Sequence, residues 1–238
     1  MKLSKYKTIS LVLVTLVVLT IFGNLFQIKI LSEIAWILIL PTLLVFYSVY
    51  QGKKDILFII FLVGFALSEI LKLWFITSEM LYYYASYICI MVAYSSLIIF
   101  FLKGIKFKKL LKNFKLHLII LLVFNLYILY TLNEMILQDE TVEVFTFIFF
   151  IEVVYNVLIL LMLSISLLYY LHNESKQALL LFLACVCIVF SEMIQVAYVF
   201  ITAEIFLRIG YLLLMAIGFG FIYFYTLLEV KKRRLIRR

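Results

Sequence analysis

The chain has 238 residues, 67% of them hydrophobic and 14% charged, with a net charge of +8 and a mean hydropathy of +1.21. No water-soluble single domain carries that much apolar sequence, and the long runs lack the alternating polarity of barrel strands. In hydrocarbon, backbone groups must pair within their own segment, which leaves an all-α polytopic membrane protein.

Eight apolar stretches are expected as transmembrane helices, at about 8–27, 33–50, 56–76, 79–102, 116–137, 144–171, 178–201 and 204–228. The first follows Lys2, Lys5 and Lys7. It is long and has no small-x-small cleavage site near Phe22-Gly23-Asn24, so it reads as a retained span and not a signal peptide. Pro41 is the single proline and is expected to interrupt span 2 and open space there. Trp36, Trp74, Tyr82, Tyr83 and Tyr84 suit an outer aromatic belt. The cysteines Cys89, Cys185 and Cys187 lie in apolar runs and give neither a disulfide framework nor a metal spacing.

Basic residues fix the orientation. Lys2, Lys5 and Lys7, then Lys53 and Lys54, then Lys103 to Lys115, then Lys176, then Lys231 to Arg238 all fall on one side of an eight-span chain. The loop between spans 5 and 6 is acidic instead, with Asp139, Glu140 and Glu143. The positive-inside rule places both termini in the cytoplasm, in the inner membrane of the cell. The charge of +8 is thereby accounted for without nucleic acid. The expected organisation is one transmembrane domain over residues 1–230 and a basic cytoplasmic tail over 231–238, able to meet anionic headgroups.

Ser68-Glu69 and Ser191-Glu192 lie inside spans 3 and 7. Intramembrane carboxylates are costly and mark functional sites or polar contacts between helices. At about 1.5 Å of rise per residue, Glu69 lies roughly 20 Å along span 3 and Glu192 about 21 Å along span 7. Glu152 lies roughly 12 Å from the outer edge of span 6, about 18 Å from the inner edge of a 30 Å core, so the three carboxylates share one level. Asn156 is one turn deeper than Glu152, and Lys72 and Gln195 are one turn outward of their glutamates. Lys72 is placed either to neutralise Glu69 at i, i+3 or to snorkel outward. Glu134, Glu204 and Arg208 sit at outer span ends.

A shift of 123 residues overlays Val63 to Lys72 on Val186 to Gln195, sharing Ser-Glu-x-x-polar. Both spans run outward, so a parallel four-plus-four repeat is expected.

His117 and His172 fall at cytoplasmic ends, and there is no Ser-His-Asp arrangement, HExxH or glycine-rich phosphate loop. What remains is carboxylate acid/base chemistry without a metal or other cofactor. Three classes stay open: a membrane-embedded enzyme, a small-molecule or proton-coupled carrier, and a non-catalytic membrane module with structural glutamates.

The eight spans, cytoplasmic termini and Ser-acidic pairs in spans 3 and 7 resemble the YhhN/TMEM86 family of integral membrane proteins, whose characterised members are lysoplasmalogenases. Ala184-Cys185-Val186-Cys187-Ile188-Val189-Phe190-Ser191-Glu192 is similar to the family's small-residue-led stretch ending in Ser-Asp. Phe65-Ala66-Leu67-Ser68-Glu69 resembles its earlier Gly-Asp stretch, and Pro41, Tyr155 and Met162 match residues of its spans. The chain departs from the family in carrying glutamates for both aspartates, Leu40 for the lysine before the proline, and Ala93-Tyr94-Ser95 where span 4 often has a histidine.

The resemblance implies hydrolysis of the vinyl ether bond of a lysophospholipid. Glu69 and Glu192 would be the catalytic carboxylates, one protonating the alkenyl carbon and the other stabilising the cation and activating water, by analogy with glycoside hydrolysis. Lys72 would meet the phosphate, and Glu152, Asn156, Ser68, Ser191 and Gln195 would line the substrate site. The bilayer and a lysophospholipid-like substrate are the expected partners.

Overall fold

Long apolar runs in lipid satisfy their backbone only as helices, and the computed structural model of the protein is all-helical among the residues it describes. These are residues 2–50, 54–75, 80–105, 115–138 and 146–236. Lys53, the lysines at 106, 108, 109 and 112, the acidic loop residues Asp139, Glu140 and Glu143, and Arg237 and Arg238 lie outside them. So do the side chains of Lys2, Lys5, Trp74, His117 and positions 231–236.

The helices are α1 (Lys2–Leu25), α2 (Lys29–Tyr50), α3 (Ile56–Phe75), α4 (Met80–Lys103), α5 (Lys115–Ile136), α6 (Phe147–Asn173), α7 (Lys176–Phe200) and α8 (Ile205–Ile236). By length and composition seven of them can cross a membrane, among the described residues. The chain is a multi-pass helical membrane protein. The helix outside that set is α3, whose side chains are described only as far as Lys72.

The expected apolar bounds hold closely along the chain, including its ends, where the membrane-competent parts are Lys7–Leu25 and Ile205–Glu229, and the helices themselves run further. Helix α1 begins at Lys2 and α8 runs to Ile236, so the expected tail is largely a continuation of α8. Lysine and arginine are good helix formers, and apolar run length marks only the part in hydrocarbon. Thirty-two residues give α8 a length of about 48 Å against a core of about 30 Å. Helix α2 runs continuously through Pro41, so the expected interruption is absent. Thr42, the next residue, donates its hydroxyl to the Leu38 carbonyl at 2.7 Å.

Connections are short where the local chemistry allows it. Between α6 and α7 there are two residues. Glu174 is left-handed (φ 44°) and donates its N–H to Tyr170 O, and Ser175 caps α7 by accepting from Ala178 N at 3.1 Å. Thr146 caps α6 in the same way through Phe149 N. Helices α1 and α2 join through Gln27, also left-handed (φ 57°), and pack tightly. A Cβ at Gly23 would stand 2.8 Å from the Ser32 nitrogen, so this approach requires glycine.

The chain divides into two compact units. Unit 1 is residues 1–93 and 223–238, where α1 packs on α2 and α2 on α3. Its core is aromatic: Phe46 contacts Tyr223 at 4.9 Å between ring centroids, and Phe58 contacts Tyr47 and Tyr225 at 4.8 and 5.5 Å. Unit 2 is residues 94–222, where α6 packs on α7 and α5 lies against both. Its core holds Ile159, Met162, Ala184, Ile188 and Val189, with Tyr170 stacked on Phe182. The division falls inside α4 and α8, which differs from the boundary between spans 4 and 5 that a four-plus-four repeat suggests. Helix α5 exposes Ile119, Ile120, Leu122, Val123, Phe124 and Leu126, an apolar surface suited to lipid.

Candidate functional site

In unit 1, α3 carries Ser68, Glu69 and Lys72. Glu69 receives two donors. Trp36 of α2 donates its indole N–H to Oε2 at 2.7 Å, and Lys72 donates from Nζ to Oε1 at 2.7 Å. The i, i+3 spacing that allowed Lys72 to neutralise Glu69 is therefore used. The pair is not sealed from its surroundings: the Glu69 side chain is 12% exposed and that of Lys72 32%. Ser68, fully buried, donates to Phe65 O of its own helix at 2.9 Å and has no bond to its neighbour Glu69. Consecutive helical residues point about 100° apart, which accounts for the separation.

In unit 2, Glu192 of α7 is 2% exposed. Tyr94 of α4, equally buried, donates its phenol to Glu192 Oε1 at 2.5 Å. Tyr94 also faces Tyr155 of α6, with 6.1 Å between ring centroids. Tyr155 lies between Glu152 and Asn156 in sequence, and both of these are fully buried. Neither polar atom of the Asn156 amide has a hydrogen-bond partner among the described residues. Ser191 turns away from the carboxylates and donates to Tyr211 O of α8 at 2.6 Å. Gln195, one turn beyond Glu192, is half-buried.

The expected site residues thus fall into two groups. Ser68, Glu69 and Lys72 belong to unit 1, and Glu152, Asn156, Ser191, Glu192 and Gln195 to unit 2. The two Ser-Glu pairs match in sequence and differ in surroundings. One carboxylate faces a cation and an indole, the other a neutral phenol. Among the described residues, no cluster of three or more His, Cys, Asp or Glu is placed to hold a metal ion.

Two partners of the glutamates are not marked in the sequence. Trp36 suits an outer aromatic belt, and its indole N–H also serves Glu69. Tyr94 is one of 17 tyrosines, and nothing in its spacing marks it as the partner of a glutamate 98 residues away. Its place in Ala93-Tyr94-Ser95, in the span where the resembled family often has a histidine, was the available signal.

Comparison with protein-family models, with curated proteins and with solved structures finds no match to this chain. The likeness to the YhhN/TMEM86 family rests on the residues quoted above.

Proposed function

We propose that the protein is a membrane-embedded hydrolase of the lysoplasmalogenase type, with eight spans and both termini in the cytoplasm. It cleaves the vinyl ether bond of a lysophospholipid by carboxylate acid/base chemistry. The observation that carries this reading is Glu192: a carboxyl group almost wholly buried in an apolar helix and held by a phenol. Glue between helices needs no titratable group, whereas acid catalysis does.

The chemistry asks little of the protein. A carboxylic acid delivers its proton to the alkenyl β-carbon, and the cation that forms is shared between carbon and the ether oxygen. Water adds to that carbon, a carboxylate takes the water's proton, and the hemiacetal collapses to a fatty aldehyde and a glycerophospho-alcohol. Glu192 and Glu69 are the carboxylates of this reading, and Tyr94 orients Glu192. Lys72 balances Glu69 and, being partly exposed, remains available to a phosphate.

The even number of spans has independent support. Lys7 near the start of α1 and Leu227 near the end of α8 line one groove, as expected when both ends of the chain share a side. The four-plus-four repeat rests on the Ser-Glu-x-x-polar match alone.

Purified protein supplied with a lysoplasmalogen should release aldehyde, and Glu192→Gln should lower release at least about a hundredfold. Full release by Glu192→Gln and Glu69→Gln alike overturns the assignment. A carrier is the second reading, favoured by Asn156: an amide fully buried without a hydrogen-bond partner among the described residues suits a site that holds water or a polar solute. Uptake into proteoliposomes without chemical conversion selects it.

A further inference from the structure

Helices α1 and α8 frame an open groove of about 400 Å³ in unit 1. On α1 it is lined by Lys7, Leu11 and Val14, with Ser10 between them, and on α8 by Tyr223, Phe224 and Leu227. The α1 residues follow i, i+4, i+7 and so form one stripe, about 10 Å long from Lys7 to Val14. Its walls are apolar and outward-facing: Leu11 is 66% exposed, Val14 57% and Phe224 51%. Tyr223 forms the floor, buried against Phe46.

The polar end of the groove is basic. Lys7 is exposed there. The helical positions just beyond it on α1 are Lys5 and Lys2, and those beyond Leu227 on α8 include Lys231, Lys232, Arg233 and Arg234, against the one carboxylate position Glu229. An apolar trough with the exposed ammonium of Lys7 at its polar end is complementary to a lipid with a negative headgroup. A neutral lipid would use the trough and leave the charge unanswered.

We propose that this groove is a binding site for an anionic phospholipid, its acyl chain along Leu11, Val14 and Phe224 and its phosphate at Lys7. No glutamate among the described residues lines the groove, and the site does not depend on glutamate chemistry.

The test places a benzophenone photoprobe at Leu11 of the full chain, reconstituted in equal parts phosphatidylcholine and phosphatidylglycerol. Lipid adducts are then identified by mass spectrometry. The control probe replaces Val12, which lies at the same depth, is 42% exposed, and points about 100° away round the helix. Adducts at position 11 should favour phosphatidylglycerol by about fivefold for each basic residue engaged, while position 12 shows no preference. Lys7→Gln should bring the preference at position 11 down by about fivefold. Both probe sites are exposed, and unchanged circular dichroism confirms the fold. Equal labelling by the two lipids at position 11, an equal preference at position 12, or a preference indifferent to Lys7→Gln would each overturn the site.

Discussion

The phenol of Tyr94 and the carboxylate of Glu192, on α4 and α7, are joined by a 2.5 Å hydrogen bond with both side chains buried. Removing the phenol leaves a buried carboxyl group without this donor. In water-soluble proteins such a loss costs about 1–3 kcal/mol. In membranes the average is nearer 0.6 and the maximum about 1.7, because the unfolded reference state also finds partners. Tyr94→Phe is therefore expected to destabilise by about 1 kcal/mol in detergent unfolding. It should also reduce aldehyde release by at least about tenfold, since the Glu192 carboxyl loses its orientation. In a double-mutant cycle with Glu192→Gln the two changes should be non-additive. Additivity to within about 0.3 kcal/mol would show that the bond does no energetic work.

Glu69 invites a different measurement. Its ion pair with Lys72 is partly exposed and lies within one helix, so Lys72→Gln should cost no more than about 0.5 kcal/mol. The indole bond from Trp36 is the better reporter. The chain has two tryptophans, so in a Trp74→Phe background the emission is that of Trp36. Glu69→Gln should shift that emission, because a charged acceptor at 2.7 Å from the indole nitrogen becomes a neutral amide. An unchanged spectrum would mean the indole does not sense Glu69.

What the sequence made legible follows from hydrophobicity. Span count and approximate boundaries come from run length, because lipid enforces helices and tolerates few charges. The buried state of Glu152, Asn156 and Glu192 was legible for the same reason. The partners of the glutamates were not. Trp36 and Tyr94 reach them across helices, and such contacts depend on rotation about each helix axis, which uniformly apolar spans do not encode. Lys72 was legible because its partner is local, three residues away on the same helix. Helices α1 and α8 run beyond their apolar spans because helix continues wherever lysine and arginine permit it, which run length does not register.

The two serines show how far a sequence match is from a structural one. Ser68 bonds within its own helix to Phe65 O, whereas Ser191 reaches Tyr211 O on α8. Ser68→Ala should change stability by a few tenths of a kcal/mol at most, because the carbonyl keeps its helical bond. Ser191→Ala removes an interhelical bond and should cost about 1 kcal/mol. The midpoint of denaturant unfolding for the two variants checks this directly. Equal effects would mean that the two Ser-Glu pairs are used alike.

The same comparison extends to Gly64, which the 123-residue overlay sets against Cys187. A Cβ at Gly64 would stand 3.0 Å from the Cys89 carbonyl oxygen and 3.2 Å from the Ala93 Cβ. The first of these is backbone, which cannot move aside as a flexible side chain does. Small residues at such crossings let membrane helices approach, so α3 and the start of α4 depend on this glycine. Gly64→Cys, the residue offered by span 7, should therefore destabilise by about 1–3 kcal/mol through overpacking. Gly210 of α8 is the control: nothing lies within 4 Å of a Cβ built there. Gly210→Ala should be neutral or stabilising by up to about 1 kcal/mol, because alanine loses less backbone entropy in a helix. Thermal unfolding of both variants under reducing conditions separates the cases. A Gly64→Cys protein as stable as the parent would mean that the crossing of α3 and α4 accommodates a side chain at this position.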